Sequence, residues 1–165
     1  LRRSSQGDAW RHCDFDRRDR ENHSFAEELL CESKLYDLSE DFLLPDYLPD
    51  ARKILLVTAE PILTGKFLGR GCLEYEAIVR CRVLYDTDDG RLGSAEPEFR
   101  LEGRFESERL DDSCLDWLKP IAENISCRLL SPRKMGFRMK VGASATVWGR
   151  DCSEQKAIAN ELLAR

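Results

Sequence analysis

Two stretches of the chain alternate apolar and polar side chains at every second position. In "LEYEAIVRCRVLY", residues 73–85, every odd position is apolar or aromatic, and Glu or Arg fills most even positions. The stretch "KMGFRMKVGASATVW", residues 134–148, repeats the pattern with Met, Phe, Val and Ala at the odd positions. A period of two predicts a strand with one buried face, because a helix would spread these charges around its whole circumference.

Shorter stretches carry the same alternation and are joined by short turns. "EFRLEGRFE", residues 98–106, places Phe and Leu on one side, and "IAENISCRLL", residues 121–130, does the same with Ile121, Ile125, Cys127 and Leu129. The turns "DTDDG" and "SPR" are too short for parallel crossovers, so they predict antiparallel pairing. A sheet with one apolar face has to cover that face. The predicted fold class is therefore all-β and mainly antiparallel, a β-sandwich with one or two short terminal helices.

The two ends of the chain lack this strand pattern. Residues 1–23 mix charges of both signs without an apolar period, which predicts a disordered tail. Residues 24–150 form the predicted sandwich domain. Residues 151–165 predict a C-terminal helix with Ser153 as its N-cap.

Two segments are harder to interpret. Residues 24–36 are compatible with a helix, because Ser24 and Glu27 form a capping-box pattern, and also with a strand, because apolar residues nearly alternate. In "KILLVTAEPIL", Pro61 interrupts a run of branched residues and predicts a strand end or a bulge.

Composition argues against several functional classes. There are 26 basic against 31 acidic residues, and this acidic balance disfavours nucleic acid as a partner. No apolar run approaches the roughly 20 residues that span a bilayer. The seven cysteines form no C-x-x-C pair, so they predict reduced thiols of a cytoplasmic protein rather than a zinc site. Without a catalytic or nucleotide-binding motif, we expect no enzyme activity, no cofactor and no metal.

One proline-rich stretch stands out, "FLLPDYLPDARKIL" at residues 42–55. Pro45 and Pro49 fix their own φ and favour extended geometry in the preceding residue. Asp46 and Asp50 are each able to accept a nearby backbone N–H. Two interpretations follow: a turn that aims the chain into the next strand, or an exposed acidic knuckle that a partner protein recognises.

Three segments resemble a known family. "LLPDYLPDARKIL" is similar to the P-D-x-x-P-D segment of the SPOCS domain, named for spore coat assembly proteins of endospore-forming bacteria. "RVLYDTDDG" is similar to the strand and hairpin of that family, and "CRLLSPRKMGFRMKV" to its L-L-N-x-R-K segment. The likeness covers roughly residues 40–148, with the segments in the same order.

The resemblance implies a non-enzymatic assembly module, often fused to a LysM module. It implies action in the mother cell at the forespore surface, with a coat-building ATPase or other coat proteins as partners. This chain holds one copy of the domain and no LysM-like segment. The resemblance identifies no catalytic residue.

A β-sandwich that binds carbohydrate, such as peptidoglycan, is the alternative prediction. It requires exposed aromatic side chains aligned on one face. The candidates are Trp10, Trp117, Trp148 and Tyr47, and Trp148 lies on the polar side of its strand.

Overall fold

The computed structural model describes residues 27–149, which form seven β-strands and no helix. No helix in this range has the length and hydropathy needed to cross a bilayer. The predicted tail, residues 1–23, and the predicted helix, residues 151–165, lie outside the described residues. The strands are β1 (Glu27–Leu43), β2 (Ala51–Gly69), β3 (Cys72–Thr87), β4 (Leu92–Ala95), β5 (Glu98–Glu106), β6 (Leu115–Ser131) and β7 (Lys134–Gly149).

The strands form two antiparallel sheets. Sheet A has the order β1-β7-β6, with β7 in the centre. In sheet B, β3 is central and pairs with β2 on one side, while the short strands β4 and β5 share its other side. The prediction of an all-β, antiparallel, two-layered fold is confirmed.

The two central strands supply most of the core. The odd-numbered side chains of β3 and β7, which the alternation predicted to be buried, face each other between the sheets. Phe99 of sheet B and Phe137 of sheet A pack with ring centroids 5.2 Å apart. Tyr75 and Phe105 stack within sheet B at 6.0 Å. The fully buried side chains include Leu73, Val79, Cys81, Val83, Tyr85, Leu101, Met135, Val141 and Val147.

The segment that the sequence left open between helix and strand is a strand. From Glu27 onward β1 pairs with β7 along its whole length, which satisfies the backbone on that side. Leu30, Leu38 and Phe42 lie on its inner face and pack against the core. Of the two alternatives, the helix is therefore excluded for residues 27–36, because pairing with β7 outweighs the local capping pattern.

Pro61 does not end a strand, contrary to the prediction. It lies inside β2 and pairs with Val79, and the nearby bulge falls between Leu63 and Gly65. A proline is tolerated at this position because β2 is an edge strand, so the missing N–H removes no bond from a second neighbour.

A bulge in β6 overturns a second detail of the sequence prediction. The register with β7 shifts between Glu123 and Ser126, and Asn124 adopts a φ of +54°. An inserted residue exchanges the two faces of a strand. Ile121 consequently lies on the outer face opposite Gly142, whereas Ile125 packs against the core.

The five cysteines of the described residues are free thiols. Burial raises the pKa of Cys81 and of Cys127 to about 11, from an ordinary value of 9.0. Cys31, by contrast, is exposed on β1.

We expect Cys81 and Cys127 to react with a thiol probe about a hundredfold more slowly at pH 8 in the folded protein than in urea, because the raised pKa lowers the thiolate fraction. Because folding raises the pKa of both thiols, the folded protein holds their protons more tightly than the unfolded chain does, and this stabilises the fold. The stabilisation is complete below pH 9 and is lost as the pH rises towards 11. Site-resolved mass spectrometry measures the rates, with exposed Cys31 as the control that reacts in both states. Equal rates for the folded and unfolded forms of Cys81 would contradict the packing.

Candidate partner-binding loop

The loop between β1 and β2, residues 44–50, lies against the turn that joins β6 to β7. Its two ends are attached there by backbone hydrogen bonds. The N–H of Leu44 donates to the carbonyl oxygen of Arg133, and the N–H of Ala51 donates to that of Pro132, both at 2.8 Å. The loop is therefore attached to the β6–β7 turn of sheet A, although the strand that follows the loop, β2, belongs to sheet B.

The guanidinium group of Arg133 binds the loop through four hydrogen bonds. Its Nη1 donates to the carbonyl oxygen of Leu48 at 3.2 Å and to Oδ1 of Asp50 at 2.5 Å. Its Nη2 donates to the carbonyl oxygens of Leu44 at 3.2 Å and Pro45 at 2.8 Å. Arginine suits this position because its donors form a planar, fixed fork. One side chain thus satisfies three loop carbonyls and one carboxylate.

A tight turn forms the tip of the loop. The N–H of Leu48 donates to the carbonyl oxygen of Pro45 at 2.9 Å, which places Asp46 and Tyr47 at the two central positions. Tyr47 is 84% exposed, and the Asp46 carboxylate is fully exposed, 4.0 Å from Nη2 of Arg133. The tip therefore presents an aromatic ring and a carboxylate to solvent from a backbone that is bound at several points.

A buried tyrosine supports the loop from the core side. The hydroxyl of Tyr85 donates to the carbonyl oxygen of Pro49 at 3.2 Å, and burial raises the pKa of this phenol. The ring occupies the space above Gly93, where a Cβ atom would lie 2.3 Å from it. Tyr85 thereby links the loop to the centre of sheet B.

The predicted motif residues are all found in this loop, but their hydrogen bonds differ from the prediction. The sequence analysis considered Asp46 and Asp50 able to accept backbone N–H groups, but among the described residues neither carboxylate does so. Asp50 binds the Arg133 guanidinium, and Asp46 is oriented towards the same group. A carboxylate gains more from a charged donor than from a neutral amide.

Arg133 is the residue of this candidate site that the sequence analysis missed. It stands 83 positions after Asp50 and 88 after Pro45, beyond the reach of any local pattern. The available signal was an arginine in a turn whose neighbours already resembled a family segment.

Two of the three tryptophan candidates lie on sheet A, and the third, Trp10, lies outside the described residues. Trp117 of β6 pairs with Thr146, and Trp148 of β7 pairs with Leu115, so both indoles belong to the outer face of sheet A as diagonal neighbours. Trp117 is half exposed, whereas Trp148 is partly buried. Tyr47 lies on the loop and does not extend this pair.

A shallow open groove of about 620 Å³ lies along sheet B. Its carboxylates are exposed, and Glu74 pairs with Arg104 at 3.4 Å, which also contacts Glu106 at 3.0 Å. Across residues 27–149, no three His, Cys, Asp or Glu side chains converge as metal ligands. The lining residues are Gly65, Lys66, Phe67, Glu74, Tyr75, Glu76, Glu102, Gly103 and Arg104.

Comparison of the chain with protein-family models, curated proteins and solved structures gives no match in any of the three.

Proposed function

We propose that this chain is a non-enzymatic protein-interaction and assembly module, and that the tip of the loop at residues 44–50 is one of its contact sites. The observation that carries the proposal is the Arg133 fork, which holds the loop so that Tyr47 projects from it. A tyrosine in a fixed position offers a large contact area at little cost in conformational entropy. Such aromatic anchors supply much of the binding energy of protein interfaces.

The chemistry of the tip indicates what its partner provides. The ring of Tyr47 needs an apolar pocket, and the exposed carboxylate of Asp46 needs a basic group at the rim of that pocket. The resemblance to SPOCS domains supports coat proteins, including a coat-building ATPase, as the partner class. The segments "LLPDYLPDARKIL" and "CRLLSPRKMGFRMKV", which carry much of that likeness, lie in contact through Arg133. On this proposal the protein acts in the mother cell at the forespore surface.

A localisation experiment tests the proposal. A fluorescently tagged copy is expressed in a sporulating bacterium, and the same tag is used to isolate bound proteins. We expect the fusion to collect at the developing spore and to bring down coat components. A diffuse signal throughout sporulation, with no coat component bound, would overturn the proposed role.

The double substitution Asp46→Ala and Tyr47→Ala tests the loop itself. Both side chains are exposed, so we expect the free energy of unfolding to change by less than about 0.5 kcal/mol. Binding to the captured partner should weaken by about 2 kcal/mol, roughly thirtyfold, because an anchoring aromatic is removed. Urea unfolding and titration calorimetry measure the two quantities.

Phe67→Ala is the matched control, since Phe67 is an aromatic residue that is 62% exposed on a different surface. It should leave partner binding unchanged. If the loop variant binds as tightly as the native protein, the tip is not a contact site.

Carbohydrate binding is a second candidate function, favoured by the position of Trp117 and Trp148 on one outer face. Sugars stack on exposed indole rings, and such stacking changes indole fluorescence. Titration of cell-wall fragments into the protein should then shift the tryptophan emission, and Trp117→Ala should remove the shift. A flat titration eliminates this function.

A further inference from the structure

Among residues 27–149, no strand pairs with the outer edge of β1 over residues 35–43, a segment that we call the β1 edge. Its backbone bonds only to β7, and no backbone hydrogen bond joins it to another described strand. Just before it, Lys34 closes the gap to β5: its Nζ donates to the carbonyl oxygen of Arg104 at 3.0 Å and lies 5.2 Å from the ring centroid of Phe105. The β1 edge therefore presents unpaired N–H and C=O groups, which an extended segment is able to pair with.

The side chains of the β1 edge give this surface a defined chemistry. It contains three acidic residues, Asp37, Glu40 and Asp41, and no basic residue. Asp41 is paired with Lys134 of β7 at 2.7 Å, whereas Asp37 and Glu40 form no ion pair within the described residues. Leu35 and Tyr36 are 41% and 43% exposed and lie on opposite faces of the strand. An added strand would find an apolar contact on each face, flanked by carboxylates.

One row of register partners across sheet A indicates which charge an added strand should carry at the position beside β1. Glu123 of β6, Lys140 of β7 and Asp37 of β1 are register partners, so the row reads acid, base, acid and then ends at the free edge. Opposite charges on neighbouring strands stabilise a sheet, and like charges destabilise it. The residue that completes the row is therefore a lysine or an arginine.

We infer that the β1 edge accepts an extended, basic segment of a partner protein as an added strand. This inference rests on the proposed interaction function but uses a surface separate from the loop tip. A second copy of the chain is a poor occupant, because pairing two β1 edges would bring three acidic residues against three. A neutral or acidic strand would leave Asp37 and Glu40 without partners.

A model peptide tests the inference on the purified full chain. The probe is a ten-residue peptide of alternating lysine and valine, and its comparison peptide has two valines replaced by proline, with the same charge but no ability to form a strand. We expect the alternating peptide to bind and to slow amide exchange within residues 35–43. Binding of both peptides with equal affinity would overturn strand addition, as would the absence of binding or protection confined to another strand.

Charge-reversal variants locate the site. Asp37→Lys with Glu40→Lys should weaken binding of the alternating peptide by about tenfold, because two attractive surface pairs become repulsive. Glu60→Lys with Asp88→Lys makes the same change in net charge on β2 and on the β3–β4 turn. This control should leave the affinity within about twofold, because neither residue lies on β1 or on its neighbour β7 and exposed charges away from a site are screened by salt. An equal loss of affinity in both variants would show that only overall charge matters and would overturn the inference.

The experiment also separates this inference from the loop proposal. The Asp46→Ala, Tyr47→Ala variant should bind the alternating peptide as the native chain does. Circular dichroism confirms that each variant is folded before its affinity is compared. Loss of peptide binding in the loop variant alone would place the peptide at the loop and overturn the β1 edge as its site.

Discussion

Replacing Gly142 with alanine is expected to destabilise the protein by about 4 kcal/mol, the largest effect of any single substitution considered. A Cβ at this position would lie 1.9 Å from the carbonyl oxygen of Lys34 on β1, and the φ of Gly142 is +158°. The obstacle is a backbone atom, so no side chain is able to rotate away. Alanine therefore forces β1 to separate from β7 near Leu35, which pairs with Gly142.

Urea unfolding measures the loss of stability, and amide exchange shows where the structure opens. We expect the amides of β1 to lose protection before those of β3. Gly65→Ala is the matched control, because a Cβ at Gly65 would meet nothing nearer than 3.9 Å. The control should change stability by less than about 1 kcal/mol. A Gly142→Ala protein as stable as this control would contradict the close approach of the two strands.

Replacing Arg133 with alanine is expected to cost about 3 kcal/mol, because hydrogen bonds from a charged donor to several acceptors are lost together. The carbonyl oxygens of Leu44, Pro45 and Leu48 and the carboxylate of Asp50 lose that donor. Arg133→Lys should cost about 2 kcal/mol, since an ammonium group keeps the charge but lacks the planar fork. Urea unfolding of the two variants checks this order.

The same substitution should also weaken partner binding, although Arg133 itself need not touch the partner. Freed from the fork, the loop tip must be ordered on binding, which reduces affinity. A double-mutant cycle of Arg133→Ala with Asp50→Ala isolates their direct pair and should give a coupling of about 1 kcal/mol. If Arg133→Ala lowers stability yet leaves binding intact, the fork is structural and the tip does not act through its rigidity.

The hydrogen bonds of Arg133 are compatible with both interpretations of the proline-aspartate stretch, residues 42–55. The turn aims the chain into β2, as a strand-initiating turn should, and Ala51 is anchored at its start. The same bonds leave Asp46 and Tyr47 exposed at the tip. One local structure thus serves the fold and presents the knuckle.

The errors in the sequence reasoning share a physical origin. Pro61 was expected to interrupt its strand, but whether a missing N–H matters depends on whether a second neighbour needs it. Ile121 was assigned to the same face as Ile125, but the bulge at Asn124 exchanges the faces between them. For residues 24–36 the sequence left helix and strand open, and pairing with β7 selects the strand from Glu27 onward. In each case a tertiary neighbour decided an outcome that the local pattern left open.

The amino-acid sequence by itself determined the central strands of the two sheets, β3 and β7, and the side chains that they bury. This was possible because side-chain direction reverses at every residue of a strand, so the alternation of apolar and polar residues shows which side chains are buried. Tertiary structure alone decided that Arg133 binds a loop more than 80 positions earlier and that β1 approaches β7 closely at Gly142. It also decided that β1, with its acidic residues, is the outermost strand of sheet A within residues 27–149. These features depend on which distant segments become neighbours when the strands pair and the sheets pack. The local alternation of residues carries no information about those long-range contacts.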